Sequence, residues 1–239
     1  MRADDEVFWV EPRQRAILPL DGFHCARSLR KVLRQDRFCV TVDAAFAEGI
    51  AACAGPRSVH DGSWISHRIE ASYRALFAAG HAHSVECWHG DMLVGGLYGV
   101  AFDRAFCGES MFSRADNASK VALAWLVALM RRAGYALLDC QFITEHLASL
   151  GAVEIAQADY LALLADARGR PRQTLRQAYS SVLSSCGAGD GAGAAAGDAA
   201  GAGVAAGVAP GAAPLPPRAP AGLPSSPGKL IAQSFTQTS

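Results

Sequence analysis

At 239 residues with 51% hydrophobic side chains, the chain carries enough apolar surface for one or two packed domains, which excludes a wholly disordered or fibrous protein. A formal net charge of +0 excludes a uniformly basic or acidic surface, so any contact with nucleic acid must come from a local patch. No run reaches the roughly 18 uncharged apolar residues of a membrane span, and the opening MRADDEVFWVEP lacks a basic stretch followed by an apolar core, so no membrane partner and a soluble cytoplasmic protein are expected.

In chain order, LDGFHCARSLRKVLRQ has helical spacing, RFCVTVD alternates like a strand, and AAFAEGIAACA reads as a helix ended by the turn residues GPRSVHDGS. Ser66 is placed to cap SHRIEASYRALFAAG, whose Ile69, Tyr73, Leu76 and Phe77 share one face before Gly80 stops it. AHSVECW, HGD and MLVGGLYGVAF predict a hairpin, and RAFCGES a third neighbouring strand. Glycines 95, 96 and 99 inside the middle strand point to a bulge or a close backbone approach. Asp116 or Asn117 is positioned to cap the apolar helix ASKVALAWLVALMRRAG, after which YALLDCQFI reads as a buried strand. TEHLASLG, AVEI and ADYLALLADA then give a short helix, a strand and a final helix.

This order predicts an α+β protein, a mixed sheet flanked by helices that is compatible with an acyltransferase-like sheet. From about Ser184 the composition turns to Gly, Ala and Pro; small side chains bury little and Gly is costly to order, so 187–228 is expected to be disordered, while the closing KLIAQSFTQTS regains apolar character able to dock on the body. Three parts are expected: a partial N-terminal region over 1–36, a catalytic domain over 37–183 and a low-complexity tail over 184–239.

Several constellations compete for a chemical role. Asp139 and Gln141 interrupt an apolar strand two residues apart, which puts them on one face and requires that they be either satisfied or used. Glu109, leaving a strand through Gly108, is a carboxylate able to bind a cation or an amine, or a plain surface Glu. Arg27, Arg30, Lys31 and Arg34 share a helix face within a stretch, 13–37, of net charge +5; this is a phosphate-backbone surface or a solvated helix face. His81, His83, Cys87 and His89 lack the spacing of a closed tetrahedral set, so no metal is expected. The seven scattered cysteines without a CxxC pair read as reduced thiols, and Cys140, despite His146 nearby in sequence, as a buried structural residue. Arg131, Gly134 and Ala136 match the letters of a CoA pyrophosphate loop, yet they end a helix rather than begin one, so Gly134 reads as a C-terminal cap.

The runs FWVEPRQRAILPLDGFHCARSLRK, GSWISHRIEASYRALFAAGHAHSVECW, LVGGLYGVAF, FCGESMFSRADNASKVAL, LLDCQFITEHLASLGAVEI and DYLALL together resemble the leucyl/phenylalanyl-tRNA–protein transferase family, in order over most of residues 8–164. The resemblance implies an acetyltransferase-like (GNAT-like) fold used without CoA or any other cofactor. It implies transfer of Leu, Phe or Met from aminoacyl-tRNA to proteins beginning with Lys or Arg, creating a degradation signal, by a monomer. Residue by residue, Asp139 and Gln141 resemble the catalytic pair and Glu109 the residue near the acceptor peptide. Trp64 and Tyr73 resemble the contacts to the 3′ adenosine, and Leu97, Phe106, Leu123, Leu126, Met130 and Leu138 an apolar acyl pocket. Arg27, Arg30, Lys31 and Arg34 correspond to the tRNA backbone surface. The family's usual extra N-terminal helix and GxFPM run are absent, and the Ala/Gly/Pro tail lies outside its pattern. Two other readings remain at this stage: a catalytically inactive tRNA-binding module and a CoA-dependent N-acetyltransferase.

Overall fold

A computed structural model of the protein describes residues 10–55, 65–187 and 227–236. Seven strands form one sheet in the order β2-β3-β4-β5-β6-β1-β7. They are β1 (Gln14–Ile17), β2 (Cys39–Val42), β3 (Ala82–His89), β4 (Met92–Phe102), β5 (Ala105–Ser113), β6 (Leu137–Gln141) and β7 (Val153–Ala156). Neighbours are antiparallel except β5 and β6, which run parallel because α4 (Ala118–Ala133) carries the chain back between them. The mixed α+β architecture is the expected one. The strand β1 was not foreseen: it sits between β6 and β7, so the sheet draws on residues before as well as after position 36.

Alternation divides the side chains of the sheet between two cores. Leu97, Phe106 and Leu138 face α4, whereas Tyr98, Ala105 and Leu137 face the opposite side. That opposite side is covered by α2 (Phe46–Cys53) and α3 (His67–Ala78) at one end and by α6 (Gln157–Asp166) at the other. α4 is apolar around its whole circumference, with 13 of its 16 residues buried, because α1 (Arg27–Arg34), α7 (Leu175–Gly187) and α8 (Pro227–Ser234) pack on its outer side. Its start is held by Ser113, whose Oγ accepts from Ser119 N at 3.2 Å. Asn117, in a left-handed conformation, makes no side-chain cap there. Gly134, at φ 80°, closes the helix as a C-terminal cap, as its place in the sequence indicates.

The glycines of β4 mark a close approach. A Cβ on Gly99 would lie 2.2 Å from Cys107 O and 2.5 Å from the Phe106 ring, so only Gly lets β5 bulge against β4 at this point. The end of the tail docks, as its apolar character suggested. Gly228 N donates to Asp36 Oδ1 at 2.8 Å, and a Cβ there would lie 2.0 Å from Leu33 O; Phe235 packs on Phe23 with centroids 4.9 Å apart, and Arg131 Nη1 donates to Ser234 O at 3.1 Å. The segment 188–226 lies outside the described residues. No helix among the described residues is long and apolar enough to cross a membrane.

Candidate active site

The site forms where two neighbouring strands part. Tyr98 pairs with Ser110 and Gly99 with Gly108, which leaves Glu109 as the extra residue of a β-bulge. The parallel register of β5 and β6 ends at Cys107↔Asp139. Beyond that pair, side chains span the gap: Gln141 Nε2 donates to Glu109 Oε2 at 2.8 Å and to Gly108 O at 3.3 Å. Both amide hydrogens are thereby directed at β5, so the Gln141 carbonyl oxygen is the atom left for another partner. Gln141 ends its strand at φ 65°, an unusual conformation for a side-chain-bearing residue.

Asp139 lies one step deeper and is 0% exposed. Its carboxylate accepts from Arg15 Nη2 at 2.7 Å and Nε at 3.0 and 3.1 Å, from Tyr160 Oη at 3.0 Å, and from the Cys107 thiol at 3.4 Å. The Gln141 backbone N–H completes the set at 2.8 Å. Arg15 also lies over the Tyr160 ring, 5.1 Å from its centroid. Asp139 and Gln141 are thus brought together, through a backbone N–H rather than through facing side chains.

Burial pushes the Glu109 carboxyl above its ordinary range, and the nearby Asp139 charge adds to this; hydrogen bonds from Tyr73 and Gln141 and the charge of Arg15 oppose it. Tyr73 joins the site from α3, and burial followed by the Glu109 charge raises its own pKa. Tyr160 is raised by burial and by Asp139, and so is Cys107; burial pushes Cys140 to about 12. Thiols held protonated in this way are poor nucleophiles, so the polar groups of the cluster are the carboxylates, the Gln141 amide and the tyrosine hydroxyls.

The remaining expected residues are distributed as follows. Leu97, Phe106, Leu123, Leu126, Met130 and Leu138 all belong to the main core cluster on the α4 side of the sheet, with Phe106 and Leu138 immediately beside Cys107 and Asp139 in sequence. Trp64 lies outside the described residues. Arg27, Lys31 and Arg34 are exposed and Arg30 is half-buried; with Gln35 they line a depression of about 350 Å³ on α1. His83 is engaged elsewhere, 2.9 Å from Asp43 Oδ2, and Cys87 is buried. His146 Nε2 is buried without a hydrogen-bond partner, its pKa lowered by burial, and it makes no bond to Cys140 among the described residues. Two residues that sequence reasoning did not assign to this centre, Arg15 and Tyr160, form its inner wall. The only signal for them was their presence in the runs RQRAI and DYLALL; a lone Arg in a four-residue strand has no pattern that reveals a partner 124 positions away.

The family model described as leucyl/phenylalanyl-tRNA protein transferase matches residues 17–165. This chain belongs to that family. As a leucyl/phenylalanyl-tRNA–protein transferase family member it is an aminoacyltransferase. It is 57% identical over 238 residues to the leucyl/phenylalanyl-tRNA–protein transferase of Novosphingobium aromaticivorans, covering 100% of this chain and 89% of that protein. The transferase of Rhizorhabdus wittichii is 60% identical over 168 residues, 70% of this chain and 68% of its own length. Among solved structures, that of L-PGS from Bacillus licheniformis matches with a TM-score of 0.37 and 12% identity, over 57% of this chain and 50% of its own; a likeness at that level carries no argument.

Proposed function

We propose that the parting of β5 and β6 is where this transferase moves a leucyl, phenylalanyl or methionyl group from aminoacyl-tRNA to the α-amino group of a protein that begins with Lys or Arg. The family accounts for leucyl and phenylalanyl transfer to proteins; the residue roles, the methionyl donor and the basic acceptor residue are the proposal, as is the acetyltransferase-like (GNAT-like) assignment of the fold. The bridge from Gln141 to Glu109 across the gap supports it most, because it leaves an amide oxygen beside a carboxylate where β5 and β6 part.

In this reading the neutral amine attacks the ester carbonyl, the new C–N bond forms, and the bond to the ribose oxygen breaks. The ribose oxygen leaves with the proton that the amine gives up, so charge balances without an added base. Gln141 accepts a hydrogen bond from the amine and orients it, Asp139 orients Gln141, and Glu109 attracts the cationic N-terminal residue. Holding two substrates in register supplies much of the acceleration. Tyr73, with Trp64, stacks on the terminal adenosine, where an aromatic face suits a single-stranded end. The acyl group is assigned to the six apolar side chains around Phe106 and Leu138, which are closed against α4 in this structure and must part to admit it, and the basic face of α1 takes the tRNA backbone.

The test is incubation with labelled leucyl-tRNA and an Arg-initiated peptide, with acetyl-CoA as a separate donor. Transfer from the tRNA is expected; tRNA binding without transfer, or acetylation instead, overturns the proposal. The α1 surface is checked separately: replacing Arg30 and Lys31 by Gln should flatten the dependence of log affinity for tRNA on log salt by about 1 to 2 units, as fewer counterions are released. An unchanged slope would assign that face to solvent.

A further inference from the structure

Asp139 makes more hydrogen bonds than a group waiting to receive a proton can spare. A carboxylate offers about four acceptor directions. Arg15 Nε and Nη2, Tyr160 Oη, the Cys107 thiol and the Gln141 backbone N–H already converge on them, and no part of the side chain reaches solvent. These donors come from four elements, β1, α6, β5 and β6, and the Glu109 carboxylate is close enough to Asp139 for the two charges to interact. The contact that leads toward the parting of β5 and β6 is the bond to Gln141 N, and Gln141 is the residue whose backbone stands at φ 65°. A residue with a side chain costs about 1 kcal/mol or more in that region unless its surroundings hold it there.

We propose that Arg15 and Tyr160 are positioning residues of the transfer reaction: they fix the Asp139 carboxylate, which in turn holds the Gln141 backbone so that its amide carbonyl is presented to the incoming amine. This rests on the function proposed above and specifies it, since Asp139 then orients and does not accept a proton during turnover. The division of labour follows from position. Arg15 makes a two-pronged pair with Asp139 from the β1 strand, so it sets both the height and the rotation of the carboxylate. Tyr160, from α6, adds one hydrogen bond and carries the Arg15 guanidinium on its ring. Displacement of Gln141 by a fraction of an ångström leaves the substrates bound but out of line, so the loss falls on kcat.

Tyr160→Phe and Arg15→Lys test this. The first removes a single hydroxyl and keeps the ring, so the fold is retained; the second keeps the charge and removes the fork. Transfer from phenylalanyl-tRNA to an Arg-initiated peptide is expected to lose kcat about tenfold in Tyr160→Phe and on the order of a hundredfold in Arg15→Lys, with KM for both substrates within about twofold of wild type. Hydrogen exchange at the Gln141 amide should quicken in the same order. The acidic limb of the kcat profile should stay where it is in wild type. Two outcomes overturn the proposal: unchanged kcat in both variants, or an acidic limb displaced to higher pH in Arg15→Lys, which would make the Asp139 carboxylate a proton acceptor in turnover. If the wild type transfers nothing, the function proposed above falls, while Gln141 amide exchange in the two variants still decides whether the clamp exists.

Discussion

Two buried carboxylates lie on the same face of the sheet and have opposite surroundings. Glu86, on β3, is 1% exposed and is held by neutral groups: Thr41 Oγ1 donates at 2.5 Å, Ser84 Oγ at short range, and Ala45 N at 3.4 Å. Asp139, on β6, is buried as deeply and is held by a guanidinium. Glu86 is paired on both sides, with Thr41 and with Gly96, and the β3–β4 ladder resumes at Trp88 after a bulge past Cys87, so the strands do not part there. Asp139 forms the last rung before β5 and β6 part. Burial of an acid therefore says little about function; a pairing partner of opposite charge next to an interrupted ladder says much more.

The sharpest way to break this comparison is to remove each acid. Asp139→Ala should reduce turnover by roughly two to four orders of magnitude with tRNA binding retained. Near-wild-type turnover, measured with saturating substrates, would remove Asp139 from the site. Gln141→Met, which keeps length and loses the amide, should cost on the order of a hundredfold in kcat, measured the same way. A smaller effect is expected of Tyr73→Phe. The Tyr73 hydroxyl holds the Glu109 pKa down, so without it that pKa rises further, and the acidic limb of kcat/KM for the peptide should move to higher pH with a severalfold loss, about 1 kcal/mol or less, below neutrality. A limb that does not move would separate Glu109 from acceptor binding.

Smallest on activity, and the sharpest contrast with Asp139, is Glu86→Gln. Burial raises the Glu86 pKa more than its hydrogen bonds lower it. The folded protein therefore binds this proton more tightly than the unfolded chain does. The associated stability is fully present below the unfolded glutamate pKa and is lost as pH rises through the folded value. Gln cannot ionise, so the variant should gain about 1 kcal/mol at neutral pH and show a flatter pH dependence in urea unfolding, with transfer activity unchanged.

Legibility varied with the range over which a signal acts. α4 was readable because sixteen apolar-rich residues between a polar turn and Gly134 admit one structure, and the β3–β4 hairpin because HGD joins two alternating runs. The capping of α4 was misjudged: Asp116 and Asn117 have the right chemistry, yet the chain turns left-handed at Asn117 and the bond comes from Ser113. Asp139, Gln141 and Glu109 stood out as polar breaks in apolar strands, and they converge. Arg15 did not stand out, since a period of two cannot be established over the four residues of β1.

The sequence alone determined the elements with strong local periodicity, the mixed α+β class and the family, because these depend on residue spacing and on order along the chain. Tertiary structure decided which neighbours met: β1 slipped between β6 and β7, α8 folded back onto α1, and Asp139 received a cation from a distant strand. Such contacts are chosen by the burial and hydrogen bonding of the assembled sheet, and the short segments that make them carry almost no preference of their own.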